Sequence, residues 1–573
     1  MLIFSAIVSF GAVAALFIKF PFCFSSNDDV LLREILSGNY TATPDAHAIY
    51  IMYPLGLIFK GLYGIFAGVP WYGGFMSAVH ALCVFLIVFR LQSQFKGIIN
   101  RILACVVTLS IVVLLDAKYL IMHQYTALSG LVAATAILWI ATFKFKEKYV
   151  KLQMTIIIIL LTVSMWLRFQ VFLLSLPFVM LATIVNYVDD SETYDSKYEK
   201  AFKSILPLGV LVLVIGVSML SEFLAYKSPE WQEFKEYNET RTEVYDYDKL
   251  INFDTNAEYL ENIGITKEAH GVLSEQDILF VGECGAEEFK MIAAKNDEIM
   301  SQWQQFYSVP RKVIVDTVKN FAAECGKLPG IVVTCMFFGT LFILYYNDHK
   351  WTALIVLASY AYMWAALGWL TYKGRVVDRV TYGLLMMEIL FLTGILIASI
   401  SKSTRERSTS PFWAIIMTLI YLGLTSITGL YTYRTVSDEY SETMSRITAW
   451  EELNAYFKQN PNCVYLLDTA VYANFPERLL TENVESFNVI RLGNWTANSP
   501  LQTKREQRIL TDTIKNSYVG GENVFFVQQE GRSYEFLQAY LEKEGVELQK
   551  ALTVAVSDGT KYNLIKAVRN DLS

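Results

Sequence analysis

Long apolar stretches separated by short charged ones dominate the pattern of this chain. Runs fit to cross a hydrocarbon core of ~30 Å, which takes ~20 helical residues, recur at 2–22, 71–91, 100–117, 120–143, 152–167, 170–188, 204–225, 328–346, 351–371, 380–400 and 411–432. They predict eleven transmembrane helices, the fifth of them short. Residues 46–66, "AHAIYIMYPLGLIFKGLYGIF", are also apolar and aromatic, but Pro54, Gly56, Lys60, Gly61 and Gly64 interrupt them. Lysine and arginine in short loops mark the inner side. With the N-terminus inside, "RLQSQFKGIINR", "KFKEKYVK", "DDSETYDSKYEKAFK", "NDHK" and "SKSTRERS" become inner connections. Counting 46–66 as a span would invert all later loops, so it reads as a re-entrant or interfacial element on the outer side. The first 20 residues look like a signal peptide but carry no basic n-region and no clear small-x-small cleavage site, so they read as a retained first helix.

Two stretches break the pattern. Residues 227–327 form a polar excursion between the seventh and eighth spans, with helical periodicity at 286–304 and 311–325. Residues 434–573 alternate strand-like runs at 463–468, 523–529, 552–556 and 562–568 with helix-like "SRITAWEELNAYFKQN" and "SYEFLQAYLEKEG". The expected organisation is a transmembrane core at 1–226 with a functional first outer loop at 23–70, an acidic loop domain at 227–327, further transmembrane helices at 328–433, and an α/β domain at 434–573. The fold class is thus an all-α polytopic protein of the plasma membrane, with an extracytoplasmic helical loop domain and a small extracytoplasmic C-terminal α/β domain.

Composition agrees with that class: of 573 residues 54% are hydrophobic, and the mean hydropathy is +0.34. Residues 227–327 hold 20 Asp and Glu against 11 Lys and Arg, a local balance of 11 − 20 = −9 beside −7 for the whole chain. Such acidity argues against a nucleic-acid partner. The cysteines at 23, 83, 105, 284, 325, 335 and 463 show no CxxC pair and no zinc-binding spacing. Cys284 and Cys325 share one polar loop, and spacing alone does not make them a disulfide. The absence of Walker A, GxGxxG and GxSxG patterns weighs against an ATP-driven pump or an α/β-hydrolase.

Candidate chemistry starts where the first apolar run ends, at Asp28-Asp29. Asn27 can cap the helix "DDVLLREIL", whose dipole favours first-turn acids by ~0.3–1 kcal/mol each. The pair also suits a general base that meets a hydroxyl from water while the other substrate stays in lipid. Asp45 and His47 in "TPDAHAIY" make a second polar cluster, for which a Pro44-Asp45 turn and an interfacial histidine are the plain structural reading. Fixed positive charge for a phosphate comes from Arg375 and Arg379 in "YKGRVVDRV", four apart on one helical face with Asp378 near enough to pair with one of them. Arg168 and Lys118 are further candidates, and snorkelling anchors would have the same composition. His80 and His123 read as packed, hydrogen-bonded core residues, and His270 and His349 as surface residues. Asn238 and Asn494 head Asn-x-Thr glycosylation patterns, which count only in a eukaryotic secretory pathway.

A first span, an outer Asp-Asp directly after it, a half-buried aromatic segment, alternating spans, a long outer loop and a C-terminal outer domain together resemble the GT-C superfamily of membrane glycosyltransferases. The stretch "NDDVLLREILSGNYTATPDAHAIYIMYPLG" is similar to a group of bacterial multispan proteins with an "NDD…SG.Y…TPD.H.I…YPL" signature, and the likeness recurs weakly at "GRVVDRV" and "RLGNWTANSP". The resemblance implies transfer of a sugar from a polyprenyl-phosphate-type lipid donor to the hydroxyl of a cell-envelope glycan, lipid or protein, with inversion. It implies that Asp28 or Asp29 is the base, and that in some members this aspartate also holds a divalent cation such as Mg or Mn. Asp45 and His47 would assist the acceptor, Tyr50, Tyr53 and Pro54 would line the donor's lipid entry, and Arg168, Arg375 and Arg379 would receive the phosphate. The competing readings are a carrier or flippase for a lipid-linked precursor, which repeated halves would favour, and a non-enzymatic envelope assembly or binding protein.

Overall fold

The computed structural model describes the chain apart from residues 96, 144–148, 190–196, 283, 305–314, 317, 321, 324–325, 347–348, 373–375, 404–410, 474, 483 and 570–573, and apart from the side chains of 187–208, 302–304, 346 and 400–428. Helices form where the apolar runs lie. In chain order they are α1 (Leu2–Lys19), α2 (Asn27–Ser37), α3 (Tyr53–Ile65), α4 (Trp71–Ser93), α5 (Ile98–Ile121), α6 (Tyr125–Ala141), α7 (Val150–Leu167), α8 (Phe169–Asp189), α9 (Lys197–Ala225), α10 (Pro229–Asp246), α11 (Phe253–Asn262), α12 (Lys267–Ser274), α13 (Ala286–Gln304), α14 (Leu328–Tyr346), α15 (Lys350–Tyr372), α16 (Asp378–Ser403) and α17 (Pro411–Gln459). Among the described residues eight are long and apolar enough to cross a membrane: α1, α4, α5, α7, α8, α14, α15 and α16. A ninth span is counted if α9 and α10, bent by 105°, are taken together.

The expected run at 120–143 is split, because α5 continues to Ile121, Met122 and His123 are extended, and α6 has 17 residues. All of α6 is buried. Its alanine, glycine, serine and threonine content lets neighbouring helices approach closely. A Cβ added at Gly130 would lie 2.6 Å from the Cα of Gly383 in α16. The expected span at 411–432 falls on α17, largely where side chains are outside the description. Within 46–66 a helix of 13 residues forms, α3, with Pro54 in its first turn, where a missing N–H costs nothing. Thirteen residues are too short to span.

The C-terminal region folds as a five-stranded sheet in the order β4-β3-β5-β7-β6. Here β3 is Val464–Leu467, β4 Val489–Arg491, β5 Val524–Gln529, β6 Val546–Ala555 and β7 Lys561–Arg569. β3 runs parallel to β4 and β5, and β7 runs antiparallel to β5 and β6. Four of these strands follow the expected runs, with β6 starting earlier, at Val546. The three-residue β4 is too short to announce itself by alternation. One hydrophobic cluster contains Leu260, Val272 and Phe289 of the acidic excursion together with Leu466, Phe526 and Ile565 of the sheet, so the two regions share a core. Cys325 and much of the expected 311–325 helix lie outside the described residues.

A buried set of charges ties α2 to this C-terminal region. Arg33 is 0% exposed and donates to Glu477 Oε2 at 2.5 Å and to the Thr481 carbonyl at 2.7 Å. Glu34 accepts from Arg491 at 3.1 Å, Arg491 also binds Glu485, and Arg505 reaches Glu485 at 2.6 Å. Glu477 takes a further hydrogen bond from Trp450 Nε1 at 2.8 Å, and Tyr63 donates to Glu482 at 2.8 Å. Buried charges persist when geometry supplies such partners.

Candidate functional site

The loop after α1 is held from both sides. Cys23–Phe24 (β1) pair in parallel with Met122–His123 (β2), while Phe24 N–H donates to Glu477 O at 2.9 Å and Leu479 N–H to Phe22 O at 3.0 Å. This fixes the start of α2. Its cap is Ser26, one residue before the expected Asn27, and its end is Gly38, whose φ of 88° is the left-handed conformation that glycine adopts without strain.

The two adjacent carboxylates have different fates. Asp29 is 0% exposed: its Oδ1 accepts from Tyr72 Oη at 3.0 Å and from the Tyr125 N–H at 3.1 Å, and its Oδ2 accepts from Ser26 Oγ at 3.1 Å. Burial pushes its carboxyl up to about 7 against the Tyr72 hydrogen bond, with the neighbouring Asp28 charge adding to the rise. Asp29 is therefore a staple between α2, α4 and the start of α6. Asp29→Ala is expected to cost about 1–3 kcal/mol for each buried donor left unpaired, whereas Asp29→Asn keeps an acceptor oxygen and loses less; thermal unfolding of the two variants checks this.

Asp28 keeps 22% of its side-chain exposure and faces Arg379 Nη2 at 4.0 Å. Burial raises its carboxyl above the usual range, while Arg379 and Arg168 pull against the rise. Arg168 lies flat against aromatic rings, its Cζ 4.8 Å from the Tyr50 centroid and 5.7 Å from that of Tyr125. Trp495 arrives from the C-terminal region and packs on Tyr50 at 4.8 Å. The turn that presents it holds Asn494 at φ 91°, with Asn494 Oδ1 accepting from the Thr496 N–H at 2.6 Å. Thr496 is 0% exposed and bonds Tyr40 Oη at 2.8 Å, so this Asn-x-Thr stretch serves packing here.

Two cavities meet at Arg168. The first, about 540 Å³, has Arg168 and Arg379 with Tyr125, and otherwise an apolar wall that includes Leu174, Ala366 and Leu370. Leu173 and Trp369 on that wall are 45% and 55% exposed, so it is open at the side of the helix bundle. The second, about 460 Å³, is lined by Tyr50, Arg168, Glu222, Lys235 and Asn238 beside apolar residues.

The structure thus gathers Asp28, Tyr50, Arg168 and Arg379, and adds Tyr125 and Trp495, which sequence reasoning missed. Trp495 had a signal, since it sits inside the quoted "RLGNWTANSP"; Tyr125 had none. Asp45 and His47 pair with each other, Oδ1 to Nδ1 at 2.6 Å, and Lys504 approaches Asp45 at 3.6 Å. The His47 ring stacks on Trp231 at 4.8 Å, beside Tyr53, whose N–H donates to Glu222 at 2.8 Å. Burial opposes ionisation of Asp45, but the His47 hydrogen bonds and Lys504 bring its carboxyl down to about 2.

Several expectations change. Asp378 pairs with Lys327 at 2.9 Å, and Arg375, one of its two expected partners, lies outside the described residues. Lys118 is engaged by Glu439 at 2.7 Å. His80 is hydrogen-bonded, to Asp116 at 2.5 Å, but neither ring nitrogen of buried His123 has a hydrogen-bond partner among the described residues. His270 is half-buried and bonds the Ile251 carbonyl at 2.8 Å, and His349 is also half-buried. Asp28 and Asp29 do not fit a divalent cation as a pair. Both oxygens of Asp29 are occupied by donors, and Asp28 faces guanidinium groups where a cation would need more oxygens. Among the described residues no group of three or more His, Cys, Asp or Glu is arranged to hold a metal.

No family model matches the chain, and no curated protein matches it. Solved structures similar to it over nearly its whole length include ArnT from Cupriavidus metallidurans in the apo state, with 11% identity, 98% of this chain and 97% of that chain covered, and a TM-score of 0.39. ArnT from Cupriavidus metallidurans bound to undecaprenyl phosphate gives 12%, 98%, 97% and 0.37 in the same order. The archaeal oligosaccharyltransferase AglB from Archaeoglobus fulgidus, in complex with an inhibitory peptide and a dolichol-phosphate, gives 12%, 98%, 73% and 0.34.

Proposed function

We propose that this multi-pass membrane protein is a glycosyltransferase that moves a sugar from a polyprenyl-phosphate-type lipid to an acceptor hydroxyl at the outer membrane face. The carrying observation is one partly exposed carboxylate, Asp28, facing Arg379 beside an apolar cavity that opens at the side of the helices. The donor's lipid chain lies along Leu174, Ala366 and Leu370, and its phosphate meets Arg168 and Arg379. Asp28 takes the acceptor's proton as its oxygen bonds to the anomeric carbon. The bond from that carbon to phosphate oxygen breaks with its electron pair, and the arginines stabilise the departing phosphate. Inversion follows from a single displacement. Asp45 and His47, held as a pair, shape the loop that carries Tyr50.

Two expected results test the assignment. Arg168→Gln and Arg379→Gln each weaken donor binding about 10–100-fold, the loss of a charge-assisted hydrogen bond, read by titrating the purified chain with a lipid monophosphate. Transfer also rises with pH as Asp28 ionises. Because its carboxyl is raised, that limb lies above the ordinary carboxylate range, and a profile flat through the region would remove Asp28 as the base.

A further inference from the structure

The second cavity has a charge pattern that the transfer reaction leaves unassigned. Its polar wall is one face of α10, which turns away from α9 by 105° and so crosses its end. Lys235 and Asn238, three residues apart on that face, line the cavity, and Arg241, three further, stands behind Asn238 and outside the lining. Lys235 Nζ rests 4.4 Å from the centroid of the Tyr226 ring. Arg241 is 6% exposed, and its partners are neutral: Asn238 Oδ1 at 3.3 Å and Thr242 Oγ1 at 3.3 Å. Among the described residues none of Arg168, Lys235 and Arg241 forms an ion pair with a carboxylate. The acid in this wall, Glu222, accepts from the Tyr53 N–H and stands within electrostatic reach of Lys235 without an ion-pair contact between them. A buried guanidinium with only neutral partners is expensive unless an anion completes it. With its oxygen on Arg241, the Asn238 amide offers N–H donors to a ligand. Met219 and Phe223, 50% and 64% exposed, form an apolar side to the same cavity.

We infer that this cavity binds a ligand through an anionic group, a phosphate or carboxylate, held by Lys235 and the Asn238–Arg241 pair. Calling that ligand the acceptor rests on the proposed function; the anion site itself does not. Arg168 is shared by both cavities, so a molecule anchored here presents its hydroxyl next to the donor phosphate.

The test uses the purified full chain in phosphatidylcholine nanodiscs, titrated with glycerol 3-phosphate and with dihexanoyl phosphatidic acid, and with glycerol and dihexanoyl glycerol as neutral controls. Lys235→Gln is expected to weaken both phosphates about tenfold or more, the loss of a charge-assisted contact. Lys235→Arg restores binding, and the neutral compounds do not distinguish the variants. Tighter binding of phosphatidic acid assigns a lipid headgroup; equal binding assigns a water-borne phosphate. Phosphate binding that survives Lys235→Gln, that is lost in Arg379→Gln instead, or that the neutral controls match overturns the inference. No sugar transfer is read in this titration. A chain that holds phosphate at Lys235 yet moves no sugar refutes the proposed reaction and leaves the site standing.

Discussion

Replacing Asp28 by asparagine is expected to lower sugar transfer about 10²–10⁴-fold, the usual contribution of a general base, with little change in melting temperature. Asparagine has the shape of aspartate and suits a helix start, but it cannot take a proton. Asp29→Asn is the matched control, since Asp29 is buried and both its oxygens already accept, from Tyr72, Ser26 and the Tyr125 N–H. Transfer by the Asp29 variant should therefore fall far less. Initial rates in membranes, paired with unfolding curves, separate the two. If the two variants exchanged these results, the base would be Asp29 and the staple Asp28.

Arg33→Ala is expected to destabilise the union of α2 with the C-terminal region by about 3–5 kcal/mol, because it leaves Glu477 and Glu482 as buried acids without their cation. Phe22, Phe24 and Leu479 would lose their register along the same seam, and Trp495 would no longer be held against Tyr50. The readout is faster proteolysis of the C-terminal region together with reduced transfer. A change within about 0.5 kcal/mol, the usual range for a surface substitution, would contradict the buried placement of Arg33. The network also gives a pH dependence. Burial raises the Glu34 carboxyl above its ordinary value, against the pull of Arg491. Stability from the protonated form is present at low pH and is lost as pH rises through the raised value. Glu34→Gln should flatten that decline.

The membrane helices were legible because hydrocarbon thickness and backbone hydrogen bonding leave few alternatives to a long apolar helix. The α/β tail was legible from alternation, except at β4, whose three residues give no period. The site was legible in part. Asp28-Asp29 marked the place, yet the local sequence does not divide their roles, since two of the three partners that bind Asp29 lie 43 and 96 residues away. Arg168 was visible as a charge at a helix end, but its stacking on Tyr50 and Tyr125 was not. Lys118 and Arg379 look alike in sequence, and differ because Glu439 neutralises one while the other faces Asp28. Arg33-Glu34 carried no signal in the sequence, because the carboxylates and arginines that pair with it come from more than 440 residues downstream.

The most direct test compares cells that make the wild-type chain with cells that make Asp28→Asn, by mass spectrometry of their lipid-linked sugars and their surface glycans. The account predicts that the variant accumulates one polyprenyl-linked sugar and lacks one glycan carrying that sugar, with the protein still present in the membrane. Identical profiles in the two cells would contradict it.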